Sequence, residues 1–124
     1  MAASRPAPID AEIITAARQL HNAVQMNEIR AAHATGLPVT IRIGRYKIQY
    51  EALPFSGFTA FGDTGFVIGK EAFASEPEFK KTLLHELYRL HHSELAKGEG
   101  IDRHTIKAET EAAFQFAERF WTML

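Results

Sequence analysis

The hydrophobic period of this chain changes twice, and those changes limit its fold more than any other feature. Ile13, Ala17, Leu20 and Val24 recur at helical spacing. Asp10 is placed to cap that helix from Ala11, because its carboxylate accepts from the free N–H groups of a first turn. The pattern fades through Ile29 to His33, and Gly36-Leu37-Pro38 ends it. The period then falls to two. Val39, Ile41 and Ile43 alternate with Thr40 and Arg42, and Tyr46, Ile48 and Tyr50 alternate with Lys47 and Gln49. Gly44-Arg45 between them fits a two-residue hairpin turn with glycine first. A second strand pair, Phe58 to Phe61 and Phe66 to Ile68, is joined by Gly62-Asp63-Thr64-Gly65.

Helical spacing returns at Glu71. Ser75 with Glu78 forms a capping box, Pro77 is tolerated in the first turn, and the helix runs to about Lys97 before Gly98 and Gly100. Asp102 caps a last helix with the apolar stripe Ile106, Ala113, Phe114, Ala117, Phe120, Trp121 and Leu124. The expected order is one N-terminal helix, a small antiparallel four-stranded sheet and two C-terminal helices, an α+β domain. Residues 1–9 read as a short linker without the apolar core of a secretory signal, and residues 10–124 as a single domain.

Composition narrows the function classes. With 46% hydrophobic residues the chain suits a packed core rather than disorder. Cysteine is absent, which excludes a disulfide scaffold, a Cys-based zinc site and a thiol nucleophile. No apolar run reaches the roughly 18 residues that a membrane-spanning helix needs. The net charge of −1 gives no global pull toward nucleic acid. Through Tyr50, however, six Arg or Lys face three Asp or Glu, which permits a basic face on the first hairpin.

The helix after Ser75 carries the chemistry. At about 100° per residue, Phe79, Leu83, Leu87 and Leu90 gather on one side, and Thr82, His85, Arg89, His92 and Ser93 on the other. A solvated helix face is usually rich in Glu and Lys pairs. This one holds a proton carrier, a guanidinium suited to a phosphate, and hydroxyls. Bland readings exist for each: a carbonyl-bonded buried His85, a surface Arg89 paired with Glu86 or Glu78, and His91 and His92 favouring the helix C-terminus. Thr110 falls within the last helix's apolar stripe, where its hydroxyl bonds its own backbone or, if the two helices pack antiparallel, faces the segment near His85. Phe114, Phe116, Phe120 and Trp121 read as core.

His85-Glu86 invites comparison with a zinc peptidase. That motif needs a second histidine one turn on, and Arg89 stands there with a fixed positive charge. His92 is about 10.5 Å further along the helix, too far to share one ion easily with His85. Such a site would need ligands from elsewhere, such as His104 or Glu109.

The runs Gly57-Phe58-Thr59-Ala60-Phe61-Gly62, Gly69-Lys70-Glu71-Ala72-Phe73-Ala74-Ser75, Thr82-Leu83-Leu84-His85-Glu86-Leu87-Tyr88-Arg89-Leu90 and Glu109-Thr110-Glu111-Ala112-Ala113-Phe114 span about half the chain. Together they resemble the C-terminal domains of bacterial polymorphic toxins of the contact-dependent inhibition and Rhs type. The resemblance implies a domain secreted as part of a larger delivery protein, acting in the cytoplasm of a target bacterium and blocked by a cognate immunity protein. It also implies a toxin activity, which in that group is often a nuclease cutting tRNA, and a site at His85, Arg89 and Thr110.

Beside it, the residue inventory favours metal-independent RNA cleavage without a cofactor. In that reading His85 moves a proton, Arg89 binds phosphate, and Thr110 and Ser93 position the scissile group. Arg42, Lys47, Tyr50 and His92 bind the substrate, with Tyr46 available to a base. An ADP-ribosyltransferase, a zinc peptidase and a non-enzymatic binding module remain as alternatives.

Overall fold

The computed structural model describes residues 8–60, 65–95 and 103–124. Two helices, α1 (Pro8–Asn22) and α2 (Met26–Thr35), precede strands β1 (Val39–Ile43), β2 (Tyr46–Tyr50), β3 (Gly57–Ala60) and β4 (Gly65–Ile68). A 3-10 turn at Lys70–Phe73 leads into α3 (Glu76–Leu95), and α4 (Arg103–Phe120) runs into a final 3-10 turn at Trp121–Met123. The domain is therefore α+β. The glycine loop expected at 62–64, the C-terminal stop of α3 at Gly98 and the Asp102 cap lie outside the described residues.

The N-terminal apolar pattern makes two helices rather than one. Ile13, Ala17 and Leu20 are buried as expected, but Val24 is exposed in the turn between helices. Backbone bonds from Ala23 to Leu20 and from Met26 to Ala23 close that turn. The turn resets the phase, so Met26, Ile29 and Ala32 form a second buried stripe. Gly36 ends α2 in the left-handed conformation, with φ of 75° and its N–H on the Ala32 carbonyl at 2.8 Å.

The sheet order is β1-β2-β4-β3. Both hairpins are antiparallel, and Gly44, at φ of 58°, makes the first turn with Ile43 opposite Tyr46. The central pair, β2 and β4, is parallel, so the sheet is mixed. Residues 51–56 carry the chain past the end of β4, and β3 then takes the edge. Bonds from Glu51 N–H to the Ile68 carbonyl and from Gly69 N–H to the Ser56 carbonyl fix this crossing. Gly69 lies so close to the Phe55 carbonyl that a Cβ would collide with it. Alternation of side chains is the same in parallel and antiparallel pairs, which is why it did not disclose the parallel one.

Helices α2 and α3 pack on one face of the sheet, and α1 and α4 pack on α3. Tyr46, Ile48, Tyr50, Phe66 and Ile68 face them and are buried with Ile13, Leu20, Met26, Ile29, Phe79, Leu83, Leu87 and Leu90. The opposite face carries Thr40, Arg42, Lys47, Gln49, Val67 and Phe58, which follow one another across the strand registers. Helix α3 is central: it packs on β3, on α1 and on α4. Ser75 caps it through its Oγ, 3.2 Å from the Glu78 N–H. Lys81 pairs with Glu118 at 2.9 Å and the His85 ring meets Phe114, so α3 and α4 are antiparallel.

Candidate active site

A strand edge and two helices meet around the middle of α3. Gly57 on β3 makes the close approach possible: a Cβ there would stand 2.8 Å from the Val67 carbonyl and 3.2 Å from Thr82 Cγ2. The β3 backbone thereby comes within reach of Thr82 and Glu86. On the other flank of α3, Phe114 reaches across from α4 to His85, with ring centroids 4.4 Å apart. Between these flanks lies a cleft of about 300 Å³. Thr82, His85 and Glu86 line it from α3, Phe55 and Gly57 from the β3 side, and Phe114 from α4.

Glu86 is the unusual group at the bottom. Its residue is only 2% exposed, and Thr59 Oγ1 donates to its Oε1 at 2.9 Å. Burial pushes the carboxyl up to about 7, although the Thr59 bond and the positive charge of Arg89 both pull the other way. His85 is displaced in the opposite sense. Burial, helped by Arg89, lowers it to about 4, so its imidazole is neutral near pH 7. His85 Nε2 lies 3.9 Å from Glu86 Oε2, and its buried Nδ1 has no hydrogen-bond partner. At neutral pH the two groups are thus not an ion pair. They are a half-protonated carboxyl beside a neutral imidazole, one able to give or take a proton and the other with an unused buried nitrogen.

No protein-family model, curated protein or solved structure matches this chain. The site must therefore be judged on its own geometry.

His85 lies in the cleft. Arg89, one turn on, is half-buried, forms no ion pair with a described residue, and acts on both His85 and Glu86 through its charge. The antiparallel register that sets Lys81 against Glu118 and His85 against Phe114 puts Arg89 at the level of Thr110. Thr110 is half-buried and engaged in an interaction of its own. Ser93 is on the same helix, but its side chain lies outside the described residues. His92 stacks on Tyr88 at 4.0 Å and does not line the cleft. Among the described residues His85 is thus the only imidazole in it.

The expected substrate-binding residues on the first hairpin do not join this site. Arg42 and Lys47 are paired across β1 and β2 on the sheet face turned away from the helices, while the cleft adjoins β3 at the opposite edge. Tyr50 is corrected to a core residue. It is 1% exposed, and its hydroxyl is 3.1 Å from His33 Nδ1. Tyr46 is likewise buried, its hydroxyl 3.2 Å from His91 Nε2. Phe114, expected in the core, is 58% exposed at the cleft rim, and Phe116 takes the buried place.

Glu86 and Thr59 are the residues that sequence reasoning passed over. A signal for Glu86 was present. On an ideal helix it stands about 20° from Phe79, at the edge of the arc that Leu83, Leu87 and Leu90 occupy. A carboxylate on that arc must be buried. Thr59 gave no such sign, since its partner is on another element.

Proposed function

We propose that this domain is a metal-independent ribonuclease of the polymorphic-toxin type, with Glu86 and His85 as its proton-transfer pair. The observation that carries the reading is the adjacency, in one cleft, of a carboxyl poised near pH 7 and an imidazole with an unpartnered buried nitrogen. An unsatisfied buried nitrogen costs stability; His92 Nε2, away from the cleft, is also buried without a partner, so it is the place of His85 beside Glu86 that sets it apart. In the proposed reaction the neutral His85 imidazole accepts the proton of a ribose 2′-hydroxyl. The 2′-oxygen then attacks the neighbouring phosphorus, and the bond to the 5′-oxygen breaks.

The Glu86 carboxyl, which burial keeps protonated up to about pH 7, supplies the proton that the departing oxygen needs. Arg89 stabilises the charge that builds on the phosphate oxygens, and Thr110, at its level, orients the scissile group. Delivery within a larger secreted protein, action in a recipient's cytoplasm on tRNA or another RNA, and a protecting immunity protein belong to the same proposal.

The test is induced expression in a bacterium of wild type, His85→Ala and Glu86→Gln, followed by a gel of total RNA. Growth arrest with new RNA fragments in wild type, and neither in the two variants, is the expected result. Arrest with intact RNA would retire the nuclease reading, and no arrest would retire the toxin reading.

A further inference from the structure

The cleft's walls differ from its floor. Thr82, Glu86 and Gly57 are at the bottom, and the walls are aromatic. Phe55 precedes β3 on one flank of α3, and Phe114 stands on α4 on the other; they are 37% and 58% exposed. Phe55 packs edge-on against Phe58 at 5.3 Å, and Phe114 lies tilted against His85 at 4.4 Å. Aromatic side chains lining a cleft that also holds a few polar groups are the usual make-up of a small-ligand site.

The cleft is not basic. Glu78 and Glu118 line it with Lys81, and Lys81 is already paired with Glu118 at 2.9 Å. A phosphate would find no free cation among these lining groups, whereas an uncharged heterocycle with hydrogen-bonding edges meets aromatic faces and a polar floor. Arg89, which forms no ion pair with a described residue, stands beside the lining rather than in it. At about 300 Å³ the cleft has room for one nucleoside-sized group and not for two stacked ones.

We infer that Phe55 and Phe114 form a subsite for a single unpaired nucleobase, with its phosphate directed toward Arg89. This rests on the ribonuclease reading and specifies its substrate: RNA whose target base is unpaired, in a loop or single strand. A base still in a duplex has both faces covered by its neighbours and cannot enter between two rings.

The experiment is an NMR titration of the full chain with the four ribonucleoside 3′-monophosphates, read at the Phe55 and Phe114 ring protons. At least one nucleotide is expected to bind and shift both rings. Phe114→Ala should weaken its affinity roughly fivefold to a hundredfold, as loss of one aromatic stacking partner does. Phe114→Trp should retain it, and Val24→Ser, at an exposed position away from the cleft, should leave it unchanged. Binding that ignores Phe114→Ala, or no binding by any of the four, overturns the subsite. If nucleotides bind in the expected way while RNA stays intact in cells, the catalytic reading fails and the base subsite stands. If RNA is cut but the Phe114 variants bind like wild type, the reverse holds.

Discussion

Glu86→Gln should stabilise this protein at pH 8 and leave it unchanged at pH 4. The carboxyl is displaced from 4.5 to about 7 by burial, so the folded state holds a proton that the unfolded state has released between those values. Stability is therefore lost as pH rises through that window, and the loss amounts to about 3 kcal/mol once pH 7 is passed. Glutamine keeps the oxygen that accepts from Thr59 and has no charge to bury. Its advantage should grow from nothing below pH 4.5 to a ceiling of about 3 kcal/mol above pH 7.

His85 works in the opposite sense. Its folded value of about 4 lies below the ordinary 6.5, so its contribution is intact above 6.5 and is lost as pH falls toward 4. In wild type the two slopes nearly cancel. In Glu86→Gln the histidine slope is left alone, and stability should rise by about 3 kcal/mol from pH 4 to pH 7. Urea denaturation at pH 4, 5.5, 7 and 8 measures both effects. An advantage for the variant that does not vary with pH, or none at pH 8, would show that the wild-type carboxyl does not pay a burial penalty on ionising.

Three further substitutions probe the scaffold. Gly57→Ala should destabilise by roughly 1–3 kcal/mol in urea melts, because the new methyl must push the Val67 carbonyl and Thr82 apart; a neutral result would mean that β3 and α3 are not closely packed. Thr59→Val removes the donor to Glu86 and should move the Glu86 titration, followed by carboxyl NMR, to still higher pH, while Thr59→Ser restores it. Leu83→Ala, at a fully buried position beneath the cleft, should cost roughly 2–5 kcal/mol by denaturation; a loss under 1 kcal/mol would contradict its place in the core.

What the sequence disclosed follows the range over which each signal acts. Helix α3 was legible because its information is local. Ser75 three residues before Glu78, and leucines at 83, 87 and 90, specify a cap and a buried side without reference to the rest of the chain. The same logic put His85, Arg89 and Thr82 together. The parallel pairing of β2 with β4 depends on how residues 51–56 cross the sheet, and the alternation of either strand is indifferent to it. The break after Asn22 was hidden because Val24 continues the α1 spacing while the chain has already turned.

The site was half legible for the same reason. Alternation alone separates Lys47 from Tyr46 and Tyr50 on β2, so all three could never have faced one ligand from a flat strand. What it leaves open is a single binary choice: which sheet face receives the helices. The helices take the tyrosine face, and that choice removes Tyr50 from any substrate and sends Arg42 and Lys47 away from His85. It also brings Thr59, Gly57 and Phe55 to the flank of α3. A buried carboxyl can be inferred from one helix's periodicity. The hydroxyl that holds it, and the Phe55 ring that lines the same cleft, belong to elements that meet α3 only once the whole sheet is in place.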